Sequence, residues 1–131
     1  MGSGLIDHMS LSVSDLAKAK VFYDRALAPL GIRMVLELPA SVTGNYDCAG
    51  YGHDNGDLWL SASGKAQPSV HIAFGAGSRS EVDAFYKAAL AAGGKDNGAP
   101  GLRAHYHEHY YGAFVLDPDG NNIEAVCHRA P

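Results

Sequence analysis

The stretch Asp7-His8-Met9-Ser10-Leu11-Ser12-Val13 has a counterpart sixty-three residues later, where the chain reads Val70-His71-Ile72-Ala73-Phe74-Gly75-Ala76. Each copy places a histidine at the head of an alternating apolar run, the pattern typical of a strand. When the two histidines are aligned, seven of the 24 positions from 8 to 31 are identical without a gap. These identities include a Phe-Tyr pair and a closing glycine. The repeat therefore indicates an internal duplication in which each strand leads into a helix.

Outward from the repeat, each copy continues as three further strands. The sequence predicts an α+β fold of paired βαβββ modules, with module one at 5–62, a linker at 63–69 and module two at 70–128. We expect the two sheets to enclose a shared cleft into which both histidines project, because four strands and one helix leave one sheet face open. The predicted strands are 7–13, 33–38, 46–52 and 57–62, then 70–76, 102–106, 110–116 and 121–127, with loops at 40–44 and 95–101.

Composition excludes several classes of protein. Hydrophobic residues make up 47% of the 131 positions and charged residues 18%, values typical of a folded globular domain. The net charge of −4, without a cluster of Lys and Arg, argues against a nucleic-acid partner. No apolar run is long enough to span a membrane, and no signal-peptide core is found. We therefore predict a cytoplasmic protein with reduced thiols at Cys48 and Cys127.

The duplicated His-strand-helix unit and the stretch Asp117-Pro118-Asp119-Gly120-Asn121-Asn122-Ile123-Glu124 together resemble the vicinal oxygen chelate superfamily, which includes glyoxalase I, bleomycin-resistance proteins and extradiol dioxygenases. The resemblance covers residues 6–128. It implies a divalent metal (Zn, Ni, Mn or Fe) held by His8, His71 and Glu124, with Glu124 also acting in proton transfer. It further implies a homodimer with a small-molecule substrate and a site at or near the subunit interface.

A fourth ligand, which glyoxalase-type sites take from the last strand of module one, is missing from this pattern. The offset of 63 residues places Ser61 opposite Glu124, and alignment of the glycines in the two turns places Leu60 there. Neither residue is a usual ligand of divalent ions, so the sequence predicts a site of two histidines and one carboxylate. Such a site leaves coordination positions open for substrate, water or dioxygen.

Three functions stay open on these residues. The first is a glyoxalase-like metalloenzyme, an isomerase, lyase or transferase related to lactoylglutathione lyase, that chelates and activates a small oxygen-rich substrate. The second is an extradiol-type Fe(II) dioxygenase. The third is a non-catalytic binding or resistance protein that holds an aromatic ligand against Trp59 and the tyrosines.

A histidine-rich stretch from Arg103 to Tyr111 supplies weaker candidates for substrate binding. His105, His107 and His109 would share one face of a continuous strand and could bind metal or transfer protons. The favoured interpretation is instead a polar hairpin tip. Tyr110 and Tyr111 lie on opposite faces of the predicted strand, so one of them should line the cleft. The candidate substrate-binding residues are Trp59, Arg103, His105, His107 and Tyr110.

Overall fold

The computed structural model describes residues 6–65 and 69–131, and within these ranges the chain forms two four-stranded sheets, each with one long helix. Residue 5 of the predicted module one and residues 66–68 of the predicted linker lie outside the described residues. The strands are β1 (Met9–Ser12), β2 (Arg33–Leu38), β3 (Cys48–Gly52), β4 (Leu58–Ser61), β5 (His71–Gly75), β6 (Lys95–Leu102), β7 (Tyr111–Leu116) and β8 (Asn122–Cys127). The helices are α1 (Leu16–Leu27), continued by a 3-10 turn at Ala28–Leu30, α2 (Ala40–Thr43) and α3 (Arg79–Ala91).

The two sheets repeat one topology. Their strand orders are β1-β4-β3-β2 and β5-β8-β7-β6, and in each the first strand runs parallel to the last strand of its unit. The remaining neighbours are antiparallel. The α+β class and the paired βαβββ arrangement predicted from the repeat are confirmed.

Both long helices begin at a side-chain cap. The Asp15 side chain accepts a hydrogen bond from the backbone N–H of Lys18, and Ser78 accepts one from the N–H of Glu81. The Glu81 carboxylate in turn accepts from the N–H of Gly77, one residue before the cap, so the arrangement differs from a standard capping box by one position. These caps set where each helix begins after its first strand.

Helices α1 and α3 pack against each other and join the two units in one apolar core. Gly94, which follows α3, lies where this packing is tightest. A Cβ there would come within 2.4 Å of Val115 and 2.7 Å of Phe22, which belongs to α1 of the other unit. The glycine therefore permits the close approach of the two units.

The substitution Gly94→Ala is expected to lower the free energy of unfolding by about 1–3 kcal/mol, the usual cost of overpacking a core. Gly75→Ala is the matched control, because a Cβ at that position meets no atom within 4 Å. Urea titration of both variants checks the prediction. An equal effect of the two substitutions would show that the contact with Phe22 is not tight.

Residues 95–101 form most of β6, so their prediction as a loop was wrong. The strand lies at the sheet edge and its pairing with β7 is interrupted twice, between Asp96 and Gly98 and between Gly98 and Gly101. Edge strands tolerate the glycines and the proline that made this segment resemble a loop. In module one, the predicted loop at 40–44 contains the short helix α2.

The strand predicted at 102–106 was also wrong, because β6 ends at Leu102 and the chain turns through 103–110 before β7 begins. His105, His107 and His109 therefore lie on a hairpin tip, and the favoured interpretation of this stretch is confirmed. Cys48 and Cys127 are both free thiols, as predicted. Within the described ranges, no helix is long and apolar enough to cross a membrane.

Candidate functional site

The most conspicuous polar pair in module two joins His71 to Glu124. His71 opens β5, Glu124 lies on the parallel neighbour β8, and the His71 Nε2 is 2.7 Å from the Glu124 Oε1. The imidazole is 54% exposed whereas the carboxylate is only 1% exposed. The pair thus places a buried carboxylate at the base of the site and an accessible imidazole beside it.

Tyr110 fixes the other oxygen of the carboxylate. Its hydroxyl donates a short hydrogen bond to the Glu124 Oε2. Desolvation, followed by the hydrogen bond to Glu124, raises the pKa of Tyr110, so the hydroxyl stays a proton donor through neutral pH. Gly112 leaves room for the contact, since a Cβ there would lie 3.2 Å from both Oε2 and the tyrosine ring. Of the two adjacent tyrosines, Tyr110 lines the site, whereas Tyr111 turns away to Asp83.

An open cavity of about 490 Å³ lies over this pair. Apart from Glu124 its walls are aromatic or imidazole rings, and two of them form a histidine pair in which the His107 Nε2 is 2.6 Å from the His128 Nδ1. The His109 N–H donates to the His107 Nδ1, so His107 is expected to carry its proton on Nε2 and donate it to His128. The lining residues are His71, Tyr106, His107, Tyr110, Phe114, Glu124 and His128.

His8 lies in a different cavity, of about 210 Å³, on the sheet of module one. Its Nδ1 is 2.7 Å from the Asp7 carboxylate. The expectation that both strand histidines project into one cleft was therefore wrong for a single chain. Throughout the described part of the chain, no group of three or more His, Cys, Asp and Glu side chains is placed to hold a metal ion. The structure brings together His71 and Glu124 but not His8.

The sheet register identifies the counterpart of Glu124 in module one. Ala73 on β5 pairs with Glu124, and Ser10, which is equivalent to Ala73 in the repeat, pairs with Trp59. The predicted counterparts Leu60 and Ser61 were therefore wrong. The segment from His71 to Glu124 is two residues longer than the equivalent segment from His8 to Trp59. An alignment without gaps therefore pairs Glu124 with the wrong residue of module one.

Trp59 occupies the position where a second carboxylate would be expected. Its Nε1 donates to the Gly56 carbonyl at 2.9 Å. A Cβ on Gly50 or Gly56 would come within 2.8 or 2.6 Å of the indole, so both glycines make room for it. The indole shares its cavity with His8, Ser10, Leu38, Cys48 and Ser61. Module one thus offers one imidazole and one aromatic wall.

The other candidates from the hairpin separate into two groups. His107 and Tyr110 line the cavity of about 490 Å³, whereas the His105 ring lies 4.2 Å from the Tyr106 ring in a tilted arrangement and is not part of the lining. Arg103 donates to the carbonyls of Gly101 and Ala99 and packs on the Phe114 ring, so its guanidinium is already bound.

Phe114 and His128 were missed as site residues. A signal existed for both: Phe114 pairs directly with Glu124 on the neighbouring strand, and His128 follows Glu124 by four positions, on the same face of an extended chain. Tyr106 gave no such signal because the hairpin tip has no regular period.

Comparisons with known proteins agree with this architecture. The model of the Glyoxalase/Bleomycin resistance protein/Dioxygenase superfamily matches residues 5–125. A glyoxalase/bleomycin resistance protein from Albidiferax ferrireducens is 28% identical over 96% of this chain and 100% of its own, with a TM-score of 0.78. A glyoxalase I variant from Zea mays is 25% identical over 92% of this chain, with a TM-score of 0.71. This chain covers only 46% of the maize protein. No curated protein matches the chain significantly.

Proposed function

Because the chain belongs to the Glyoxalase/Bleomycin resistance protein/Dioxygenase superfamily, we propose that it is a metal-dependent enzyme that chelates and activates a small oxygen-bearing substrate. The observation that carries this proposal is the contact between His71 and the buried Glu124, 2.7 Å apart at the base of an open cavity. One imidazole nitrogen and one carboxylate oxygen form a donor set that suits a first-row divalent ion.

Two ligand residues alone do not make a protein metal site, and His8 is the candidate for a third ligand. Since His8 lies in another cavity of the same chain, we infer that it reaches the ion from a second copy. The open face of the module-one sheet supports a homodimer. Leu36, which aligns across the sheet with Gly50 and Trp59, is 49% exposed there. A second copy would cover this apolar surface and bring His8 over His71 and Glu124.

When bound, a divalent ion would supply Lewis acidity toward substrate oxygens. The chain's own residues would do the rest. His71 and Glu124 would hold the ion, and the hydrogen bond from Tyr110 would keep the carboxylate plane fixed. Glu124 is the candidate proton acceptor because its burial removes competing water. Trp59, the register counterpart of Glu124 in module one, would supply no fourth protein ligand and would offer its indole as a surface for the substrate.

A second function, extradiol-type Fe(II) dioxygenase, is favoured by Trp59. With an indole at the counterpart of Glu124, the shared site would have two histidines and one carboxylate, the ligand set of non-haem Fe(II) oxygenases. Activity on a hemithioacetal with nickel or zinc would support the lyase. Oxygen consumption with iron and a catechol would support the dioxygenase. The absence of stoichiometric metal in protein reconstituted without a tag would exclude both and favour a binding protein.

Mixing two inactive variants tests the shared site directly. His8→Ala and His71→Ala homodimers should each bind metal poorly, because every site lacks one ligand. After the two variants are unfolded and refolded together, half of the dimers should be mixed and carry one intact site of two. Metal content should then recover to about a quarter of the wild-type value, as expected for random pairing in a two-fold dimer. No recovery would show that the three residues do not form one site across two copies.

The substitution Trp59→Glu is expected to raise the affinity for divalent metal, because it places a carboxylate at the register position of Glu124 in module one. Trp59→Phe is the matched control, since it opens similar space without adding a ligand. Competition with a metal-sensitive dye measures both affinities. Equal affinities in the two variants would contradict the placement of Trp59 beside the ion.

A further inference from the structure

The hairpin tip between β6 and β7 carries aromatic and imidazole rings that line the cavity of about 490 Å³. The ring centroids of Tyr106 and Tyr110 are 4.7 Å apart with an interplanar angle of 61°, and the Tyr110 ring lies 5.6 Å from that of His107 and 5.3 Å from that of His128. Tyr106 is 59% exposed although it belongs to this cluster. Exposed rings gathered at the mouth of a cavity present faces and edges on which another ring can pack.

Phe114 forms a further part of the cavity wall. Its ring centroid lies 6.1 Å from that of His71, and the Arg103 guanidinium is 5.3 Å from the same centroid. Gly98 also packs against Phe114, since a Cβ there would come within 2.9 Å of the ring. Because Phe114 is held by these contacts, it is a fixed surface rather than a side chain that adapts to any ligand.

Charge narrows the ligand class further. No Lys or Arg lines the cavity among the described residues, and the Arg103 guanidinium, which packs on the Phe114 ring, is bound to backbone carbonyls. The buried charge of Glu124 repels a second anion unless a cation lies between them. An anionic group could be balanced only at the end where His71 and Glu124 would hold an ion. Apart from His107 and His128, which are hydrogen-bonded to each other, the ring-lined end has no basic side chain among its lining residues to pair with a carboxylate, phosphate or sulfate.

We propose that this cavity binds a planar aromatic compound whose oxygen substituent points to His71 and Glu124 and whose far end carries no anionic group. This inference rests on the proposed function, since it names the substrate class of the same site. The cavity volume of about 490 Å³ is in the range of small-molecule sites and accommodates a two-ring ligand. The charge pattern disfavours substrates that carry a carboxylate or phosphate away from the reacting oxygen.

Three probes of similar size separate the elements of the proposal: 2-naphthol, 6-hydroxy-2-naphthoate with an anion at the far end, and decahydro-2-naphthol without planarity. Each is titrated calorimetrically into metal-free protein at pH 8. We expect 2-naphthol to bind at least ~10-fold more tightly than either analogue, because stacking is lost in one and an unpaired charge is introduced in the other. Equal affinity for the three probes, or no binding of 2-naphthol, overturns the proposal.

Variants place the ligand within the cavity. Tyr106→Ala is expected to weaken 2-naphthol binding ~3–10-fold, the value of one aromatic contact. Tyr46→Ala is the matched control, because Tyr46 is also an exposed tyrosine but lines neither cavity. An unchanged affinity of Tyr106→Ala for 2-naphthol would show that the ligand does not bind in this cavity. Metal binding is measured separately on the same samples, so metal uptake without naphthol binding defeats only this inference, and the reverse defeats only the metal-dependent function.

Discussion

His71→Ala and Glu124→Gln are each expected to weaken binding of a divalent ion at least ~100-fold, since loss of even an outer partner of a metal ligand costs 10–100-fold. Both residues would contribute a ligand atom to the proposed metal site, and the two atoms, the His71 Nε2 and the Glu124 Oε1, are 2.7 Å apart. Glu124→Gln keeps the shape of the side chain and one carbonyl oxygen but removes the negative charge. Metal content after dialysis against a buffered ion, together with competition titration, measures the loss.

A control separates the loss of a ligand from the loss of structure. His107→Ala changes another histidine of the same cavity, but its partner is His128 rather than Glu124. We expect this variant to retain metal within ~3-fold of wild type, as for a substitution that leaves both the ligands and their partners intact. If His107→Ala lost metal as completely as His71→Ala, the ion would lie at the histidine pair instead, and the assignment of Glu124 would be wrong.

Tyr110 is the structural partner that distinguishes this carboxylate from an ordinary surface glutamate. A His–carboxylate contact alone also occurs in metal-free proteins as a simple hydrogen bond. Here the second oxygen is also occupied, by the Tyr110 hydroxyl, and the residue beneath is a glycine that leaves space for both groups. A carboxylate held on both oxygens is preorganised, which is the property that a metal ligand needs.

The repeat made the paired-module topology predictable, because both units begin with the same strand and helix, although it did not prevent the error at residues 95–101, which form most of β6. The two strand histidines also stand out from the repeat alone, since each heads the first strand of its unit. What the repeat could not predict was how the two units face each other. Packing of α1 against α3 leaves His8 and His71 in separate cavities, and that arrangement depends on long-range contacts such as Phe22 against Gly94, which have no local sequence signal.

The module-one counterpart of Glu124 shows that an alignment of two repeats can be wrong by one or two residues. Alignment without gaps treats both units as equal in length, yet the segment from His71 to Glu124 is two residues longer than that from His8 to Trp59. The strand register shows which residues are partners across the sheet, and it makes Trp59, rather than Leu60 or Ser61, the counterpart of Glu124. The difference changes the proposed site, because an aromatic wall excludes a fourth ligand and suggests a ring-binding surface.

Asp117→Ala is expected to cause the largest loss of stability, roughly 3–5 kcal/mol, because several donors are left without their charged acceptor in a buried position. The Asp117 carboxylate accepts hydrogen bonds from the Tyr23 hydroxyl at 2.5 Å, from the Asn121 N–H at 2.8 Å and from the Asn121 side-chain amide at 2.9 Å. It also accepts one from the N–H of Asp119. The residue is 4% exposed, so water cannot replace these bonds.

The turn that contains Asp117 also contacts α1 of module one, so the loss of the Asp117 hydrogen bonds should affect both units. Tyr23 belongs to α1, and the Asn121 side chain accepts from the N–H of Val70 at the start of module two. Asp119→Ala is the control in the same turn. Its carboxylate bonds Ser14 in a more exposed position and should cost no more than about 1 kcal/mol. Thermal and urea unfolding measure both variants, and equal losses would contradict a special role for Asp117.

Alkaline unfolding gives an independent test of the Tyr23 contact. Burial, followed by the charge of Asp117, raises the pKa of Tyr23 well above its usual value, so the folded state resists loss of the phenolic proton. The stability linked to this group is complete below the unfolded pKa of about 10 and is lost as pH rises beyond it. Tyr23→Phe should therefore be less stable near neutral pH but should lose less stability above pH 10. Some slope should persist, because desolvation and Asp24 raise the pKa of Tyr51 in the same direction. A variant with the wild-type slope would show that Tyr23 does not titrate against Asp117.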